Sequence, residues 1–371
     1  MKILVTGGAG FIGSHIVDEL LVKGHEVRIL DNLEPQVYGS ISTPPAYLSK
    51  NIEFQKGNIT EEKDIEKVIE DVEVIFHDAA MVGVGQSMYQ ITRYVNTNTL
   101  GTAKLLDALV NKENCVKKLI IASSMSNYGE GRYECPDCGT TYPELRPEEQ
   151  LKTHEWEVKC PQCRKPLKAV PTDEKKPLYS TSIYAMTKKH QEEMSILIGK
   201  TYGIPTVALR YFNTYGPRQS LSNPYTGVSA IFSSRIKNNN PPLVYEDGLQ
   251  MRDFIFVKDI AKANILAMEK KAADYEIFNV GTGIPTTVLN IADTLIKLYK
   301  KYLKPQVVNK YRAGDIRHCY ADITKIRTKL GFRPSYTLEQ GMAELVRWAD
   351  KEDAIDRVEK ANRELEEKGL V

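Results

Sequence analysis

The chain has 371 residues, 42% hydrophobic and 26% charged, the balance of a globular protein rather than a disordered or fibrous one. Its length exceeds one typical domain and suggests two structural units or one enlarged α/β domain. A net charge of +2 predicts no general attraction to nucleic acid, and no apolar run is long enough to span a membrane. With no room for a signal peptide before the first strand, the expected compartment is the cytoplasm.

Lys2 to Val5 is a short apolar strand, followed at once by Gly7, Gly10 and Gly13. Gly8-Ala9-Gly10-Phe11-Ile12-Gly13 also satisfies G-x-G-x-x-G. Glycines at this spacing permit a tight turn, close approach of a pyrophosphate and close packing of the next helix. Ile12, Ile16, Val17, Leu20 and Leu21 mark the buried stripe of that helix, whose N-terminal N–H groups would face phosphates. Gly7, Gly10, Phe11, Ile12 and Gly13 are therefore candidate cofactor contacts. A second strand, Glu26 to Leu30, ends at Asp31, placed to bind ribose hydroxyls. No Arg or Lys lies between Asp31 and Val37 to meet a 2′-phosphate, which favours NAD over NADP.

Further strands are expected near Glu53–Gln55, Val74–Phe76 and Leu119–Ala122, with helices between them such as Thr102 to Leu109. This alternation predicts a doubly wound parallel sheet of Rossmann type. Ser123, Ser124 and Ser126 stand at the C-terminal end of a central strand, where open α/β sheets bind ligands. Strand termination and helix capping account equally well for one or two of them.

Residues 130–172 break the pattern. They hold Cys135-Pro136-Asp137-Cys138 and Cys160-Pro161-Gln162-Cys163, two C-x₂-C pairs separated by 21 residues. In a reducing compartment this spacing reads as a structural Zn²⁺ site with four thiolates, rather than as two disulfides. With every ligand position taken by protein, no catalytic water is expected, and His154 between the pairs is read as a surface residue. Six acids against three bases between residues 135 and 163 speak against nucleic-acid binding by this insert.

Helical patterning returns from Ser182 to Ile198, then a strand at Pro205–Arg210. Of the tyrosines, only Tyr184 has a Lys four residues on, Lys188, which places both side chains on one helix face. A phenol beside an ammonium and an oxidised nicotinamide has its anion stabilised and can act as a base near neutral pH. Shorter elements and Pro/Gly loops from about Pro217 predict a smaller second unit, and Lys351 to Val371 a charged, solvated helix.

Together these residues resemble the extended branch of the short-chain dehydrogenase/reductase family, the nucleotide-sugar epimerases and dehydratases. The resemblance covers roughly residues 1–129 and 173–345. It rests on TGGAGFIG, Tyr128-Gly129 after the Ser-rich strand end, YAMTK, Arg210-Tyr211-Phe212-Asn213, Gly216-Pro217-Arg218, Arg252-Asp253-Phe254-Ile255 and Phe278-Asn279-Val280-Gly281. It implies an NAD-binding domain over 1–129 and 173–217, a zinc-ribbon insert over 130–172, and a mainly substrate-binding unit over 218–350, with part of it free to rejoin the first domain. It further implies a catalytic Ser124, Tyr184 and Lys188, and cofactor contacts at Asn58, Ile59, Ala79, Ala80 and Asn98. Substrate contacts would fall on Ser124, Ser126, Asn213, Arg252, Arg312 and Asp315, with a homodimer formed through helices near 102–112 and 182–198.

Some positions depart from the family. Asp78 replaces an apolar or aromatic residue, Asn127 a valine, and Asn58 an aspartate; Met81 and Val82 fill a place where UDP-galactose 4-epimerases carry a lysine. Met125 and Ser126 stand where dehydratases carry an Asp-Glu pair and decarboxylases a Glu, so no second acid/base set is expected. What remains suffices for reversible oxidation of one carbinol, and 4-epimerisation is its simplest use. Intact Ser124, Tyr184 and Lys188 argue against a non-catalytic nucleotide sensor. The stretch from Met81 to Ile91 and the cysteine insert are similar to dTDP-L-rhamnose 4-epimerases. That makes conversion of dTDP-L-rhamnose to dTDP-6-deoxy-L-talose the expected reaction, with a UDP-hexose or UDP-uronate 4-epimerase, or a 4-ketoreductase, as the alternatives.

Overall fold

The computed structural model describes residues 1–41 and 43–371. Strands β1 (Lys2–Thr6), β2 (Glu26–Asp31), β3 (Ile52–Lys56), β4 (Val74–His77), β5 (Lys118–Ser124), β9 (Thr206–Tyr211) and β13 (Ile277–Val280) form one sheet in the order β13-β9-β5-β4-β1-β2-β3. Every pairing is parallel. Alternate residues feed two cores, as a pleated strand covered on both faces requires. Ile3, Val5, Ile29 and Ile120 pack under helices Phe11–Val22 and Val257–Glu269. Leu4, Leu30, Ile75 and Ile121 pack under Glu62–Ile69, Gly101–Asn111 and Ile183–Tyr202. The chain reverses its direction across the sheet between β1 and β4, and ligands of such folds bind outside the strand ends there.

A smaller C-terminal unit is built on β10 (Asn213–Tyr215), β12 (Met251–Phe256) and β14 (Pro285–Thr287), with β16 (His318–Cys319) also paired to β12. A short parallel pair, β11 (Leu243–Val244) and β15 (Gln306–Val307), lies apart. Helices Val228–Lys237, Val288–Leu298 and Leu338–Ala349 close a third core around Phe232, Phe256, Leu295 and Leu345. Between these flanking strands, β13 returns to the central sheet beside β9.

The cysteine-bearing stretch forms an antiparallel three-stranded sheet of β6 (Arg132–Cys135), β7 (Gly139–Thr141) and β8 (Lys168–Val170), ordered β7-β6-β8. It leaves the chain just after β5 and returns before the Ile183–Tyr202 helix. The charged C-terminal segment differs from the solvated helix expected of it. Val358, Ala361 and Leu365 of helix Val358–Glu367 are buried. They stand at i, i+3 and i+7, enough for one apolar stripe on an otherwise charged helix. Among the described residues no helix is long and apolar enough to cross a membrane.

Candidate active site and cysteine cluster

One cavity of about 640 Å³ runs from the glycine turn, past the C-terminal end of β5, into the smaller unit. Gly7, Gly10, Phe11, Ile12, Gly13, Asp31, Asn58, Ile59, Ala79 and Ala80 line its first half. Gly7 has φ 70°, and a Cβ there would lie 2.8 Å from the Ala79 nitrogen. A Cβ at Gly13 would collide with the Gly7 carbonyl. The turn is therefore a cradle that side chains would fill, and it fits a dinucleotide pyrophosphate. Asp31 accepts from the Ala9 N–H at 3.1 Å and the Leu33 N–H at 2.9 Å, which clamps the turn to β2, and burial raises its pKa. Arg93 does reach the segment after Asp31. Its guanidinium is engaged by Glu34 at 2.6 Å and by Gln36 at 3.1 Å, so it adds no free cation for a 2′-phosphate.

Asn98 is buried behind the cavity wall. It lies in the wide turn Val95–Leu100 and does not line the cavity. Its side chain accepts from the Met81 N–H at 2.7 Å and donates to the Met81 carbonyl at 3.0 Å and Thr187 Oγ1 at 2.9 Å. Its amide is thus spent on tying the segment after β4 to the Ile183–Tyr202 helix, and that segment carries the cavity wall.

Ser124, Ser126, Tyr184 and Lys188 line the middle of the cavity. Ser124 ends β5 and caps the following turn; its Oγ accepts from the Ser126 N–H at 3.1 Å and the Ser126 hydroxyl at 2.9 Å. Ser123 points elsewhere and donates to Glu192 at 2.6 Å, a structural role. Ser182 caps the Ile183–Tyr202 helix, so Tyr184 and Lys188 occupy its first two turns on one face. Burial pushes the Tyr184 phenol up to about 12, while the Ser124 hydroxyl beside it acts in the opposite direction. Burial lowers Lys188 to about 8, with Asp78 raising it, and its Nζ donates to the Ala122 carbonyl at 2.8 Å. Asp78, a departure from the family pattern that was given no role in the site, is pushed up to about 7 by burial, against Lys188 and Tyr211. Its Oδ1 is buried without a partner among the described residues. Its sequence signals were that departure and an acid directly after a buried strand.

Asn213, Arg252, Arg312 and Asp315 line the far half. Arg252 is fixed by the carbonyls of Met251 at 2.9 Å, Arg317 at 2.8 Å and Ile316 at 2.6 Å. Arg312 donates to Asp315 at 2.9 Å and stacks on Tyr245, 4.6 Å from the ring centre. Asn213 Oδ1 is buried with no partner among the described residues. Two guanidinium groups suit a ligand rich in phosphate oxygens, and the open Asn213 oxygen suits a hydroxyl or N–H donor of the same ligand. Arg218 lies outside the cavity lining, paired with Asp18 at 2.8 Å and set over Tyr47.

Cys135, Cys138, Cys160 and Cys163 bring their Sγ atoms within 4.8 Å of one another, and all are free thiols. Four soft donors at such distances fit a tetrahedral metal ion. His154 is outside the cluster, exposed and stacked on Trp156 at 5.2 Å. The insert reaches the cavity wall through ions that sequence spacing did not reveal. Arg146 donates to Glu246 at 2.8 and 2.9 Å and to the Asp315 carbonyl at 3.2 Å. Glu157 bonds His318 at 3.1 Å and pairs with Arg317 at 2.6 Å, and these hydrogen bonds, His318 first, hold its pKa down to about 2.

Residues 3–153 match the NAD dependent epimerase/dehydratase family, and residues 166–345 match GDP-mannose 4,6 dehydratase. A dTDP-L-rhamnose 4-epimerase of Burkholderia thailandensis is 34% identical over 96% of each chain. Among solved structures, the UDP-glucose 4-epimerase of Thermotoga maritima with UDP-glucose superimposes with a TM-score of 0.75, at 32% identity over 95% of this chain and 99% of that one. The UDP-glucuronic acid 4-epimerase of Bacillus cereus, in complex with UDP-glucuronic acid and NAD, gives 0.76 at 26% identity, over 95% and 99%.

Proposed function

The chain belongs to the NAD-dependent epimerase/dehydratase family and is an NAD-dependent epimerase of nucleotide sugars; on that premise we propose how its residues divide the work. Tyr184 takes the proton of the sugar 4-hydroxyl, and Ser124 holds the same oxygen as it becomes a carbonyl. Lys188, an ammonium at neutral pH with its pKa at about 8, favours the phenolate one helical turn away. NAD, when bound over the glycine cradle, supplies a hydride acceptor that returns the hydride. Asn213, Arg252 and Arg312 bind the diphosphate. The observation that carries this reading is the meeting of Ser124, Tyr184 and Lys188 in one cavity with Met125 and Ser126, which offer no further general acid. Without one there, elimination lacks the acid/base pair expected beside the serine, and reversible oxidation of one carbinol remains.

The preferred substrates are UDP-hexoses or UDP-uronates, in line with the solved structures named above. A second reading, dTDP-L-rhamnose, is favoured by the Burkholderia relative and by Val82, an apolar lining residue suited to a 6-deoxy sugar. We also propose one structural Zn²⁺ on the four cysteines, and a homodimer whose interface includes Val95, Leu100, Met186 and Leu197, apolar side chains exposed in the single chain. Incubation with a panel of UDP- and dTDP-sugars, followed by chromatography, tests the activity. A 4-epimer formed without consumption of added cofactor is expected. Stoichiometric NADH turnover would mean a ketoreductase, and conversion of dTDP-rhamnose alone would move the substrate to the second reading.

A further inference from the structure

The helix Val358–Glu367 is fastened across the mouth of the cavity. At one lip, the Ala313 N–H donates to the Leu370 carbonyl at 2.9 Å, and Lys310 pairs with Glu366 at 2.7 Å. At the other, Glu364 accepts from the hydroxyls of Tyr89 and Tyr225, and Leu365 packs against Gly85. Asp356, just before the helix, bonds Asn240 at 2.7 Å and Arg235 at 3.3 Å. The segment lies beyond residue 345, where the family match ends.

A line of contacts leads from the catalytic helix to this segment. Thr181, just before that helix, donates to the Gly314 carbonyl at 3.1 Å. Two residues away Arg312 stacks on Tyr245, and the Tyr245 hydroxyl donates to Asn362 Oδ1 at 3.0 Å. Tyr245, Ala361, Asn362 and Leu365 all line the cavity. With the reacting sugar at Tyr184 and the diphosphate at Arg252 and Arg312, this end is left for the nucleoside. Asn362 Nδ2 has no hydrogen-bond partner among the described residues.

We infer that the C-terminal helix walls the nucleoside end of the cavity and that Asn362 Nδ2 donates to a carbonyl oxygen of the base. The inference rests on the nucleotide-sugar reading above. It assigns the segment a part in choosing the nucleotide: a base with a ring carbonyl, as in uracil, thymine or guanine, meets the donor, and adenine does not. The Tyr245 bond orients the amide for that contact, and the fastening to Ala313 and Lys310 keeps the loop of Arg312 in register with it.

Calorimetric titration of the NAD-loaded full chain with UDP, dTDP, GDP and ADP tests this. At least one carbonyl-bearing diphosphate is expected to bind better than ADP. Asn362→Ala is expected to weaken it about 2- to 10-fold, the worth of one hydrogen bond, and to raise the substrate KM by more than kcat falls. In the unaltered protein, adding that diphosphate is expected to slow amide hydrogen exchange over residues 358–370. Affinity kept within error in Asn362→Ala, or exchange over 358–370 unchanged by ligand, would overturn the inference alone. A chain that binds none of the four would overturn the nucleotide-sugar reading beneath it.

Discussion

Arg146→Met probes how the insert holds the substrate half of the cavity. The Arg146 side chain is 1% exposed, with Glu246 beside it at 2%. Removing one partner of a buried pair costs about 3–5 kcal/mol, because the other charge is left uncompensated. Glu246 keeps a second cation, since Arg317 donates to it at 2.9 Å, so the lower end applies. The carbonyls of Trp156 and Asp315 also lose a donor, while Met refills most of the volume. The expected loss is about 3 kcal/mol, roughly a hundredfold in the folding equilibrium. Chemical denaturation followed by fluorescence and circular dichroism measures it. The same variant frees the Asp315 carbonyl beside Arg312, so KM for the nucleotide sugar should rise while NAD remains bound. Arg146→Met with Glu246→Gln should cost less than the two single changes summed, because the stranded charge is gone. A single-variant loss below about 1 kcal/mol would refute the view that this ion cluster is a structural joint.

Tyr184→Phe should lower kcat by about 10²–10⁴ with bound NAD retained, and full activity in that variant would remove the phenol from the mechanism. Asp78→Asn removes the charge that raises Lys188, so the alkaline limb of the pH–rate profile should move to lower pH; an unmoved limb would show that the two groups are uncoupled. Burial holds His15 down to about 4 and His77 to about 3. The unfolded chain therefore binds protons from about pH 6.5 downward that the folded chain refuses. Stability should be flat with respect to these two groups above that pH and fall with acid through the window, by up to about 1.4 kcal/mol per pH unit for each. Denaturation midpoints that stay constant between pH 6.5 and 4.5 would contradict this. Metal analysis should find about one zinc per chain, lost in Cys135→Ser with Cys138→Ser; a zinc-free preparation with unchanged thermal stability would exclude the site.

The glycine turn, the strand ends and the Tyr184–Lys188 pair were readable in the sequence because each is local, a matter of spacing within one turn or one helix face. The cysteine pairs were readable for the same reason, since each C-x₂-C is short and four thiols have few ways to meet. Arg146 and Glu246 are 100 residues apart, and neither carries a local sign of its partner. Asn98 matched a family position, and the wide turn Val95–Leu100 that faces its amide toward Met81 left no mark in the local pattern. The C-terminal helix was hidden by composition: three apolar positions among many charges suggest solvent until the surface they cover is known.

The geometry of the insertion bears on how such a chain was assembled. Its outgoing and returning strands, β6 and β8, are hydrogen-bonded neighbours, with Arg132 opposite Val170. Beneath them Gly131 and Thr172 are each bonded to the stretch 318–320, and the Arg132 N–H donates to Thr172 Oγ1 at 2.9 Å. In the backbone, some forty residues thus enter and leave as a hairpin does, and the pairs Arg146–Glu246 and Glu157–Arg317 add a second attachment. A segment entering through so narrow a stem leaves β5 and the Ile183–Tyr202 helix in register, and the cysteine-bearing module can lengthen or shrink away from those two ion pairs while the reaction centre keeps its dimensions.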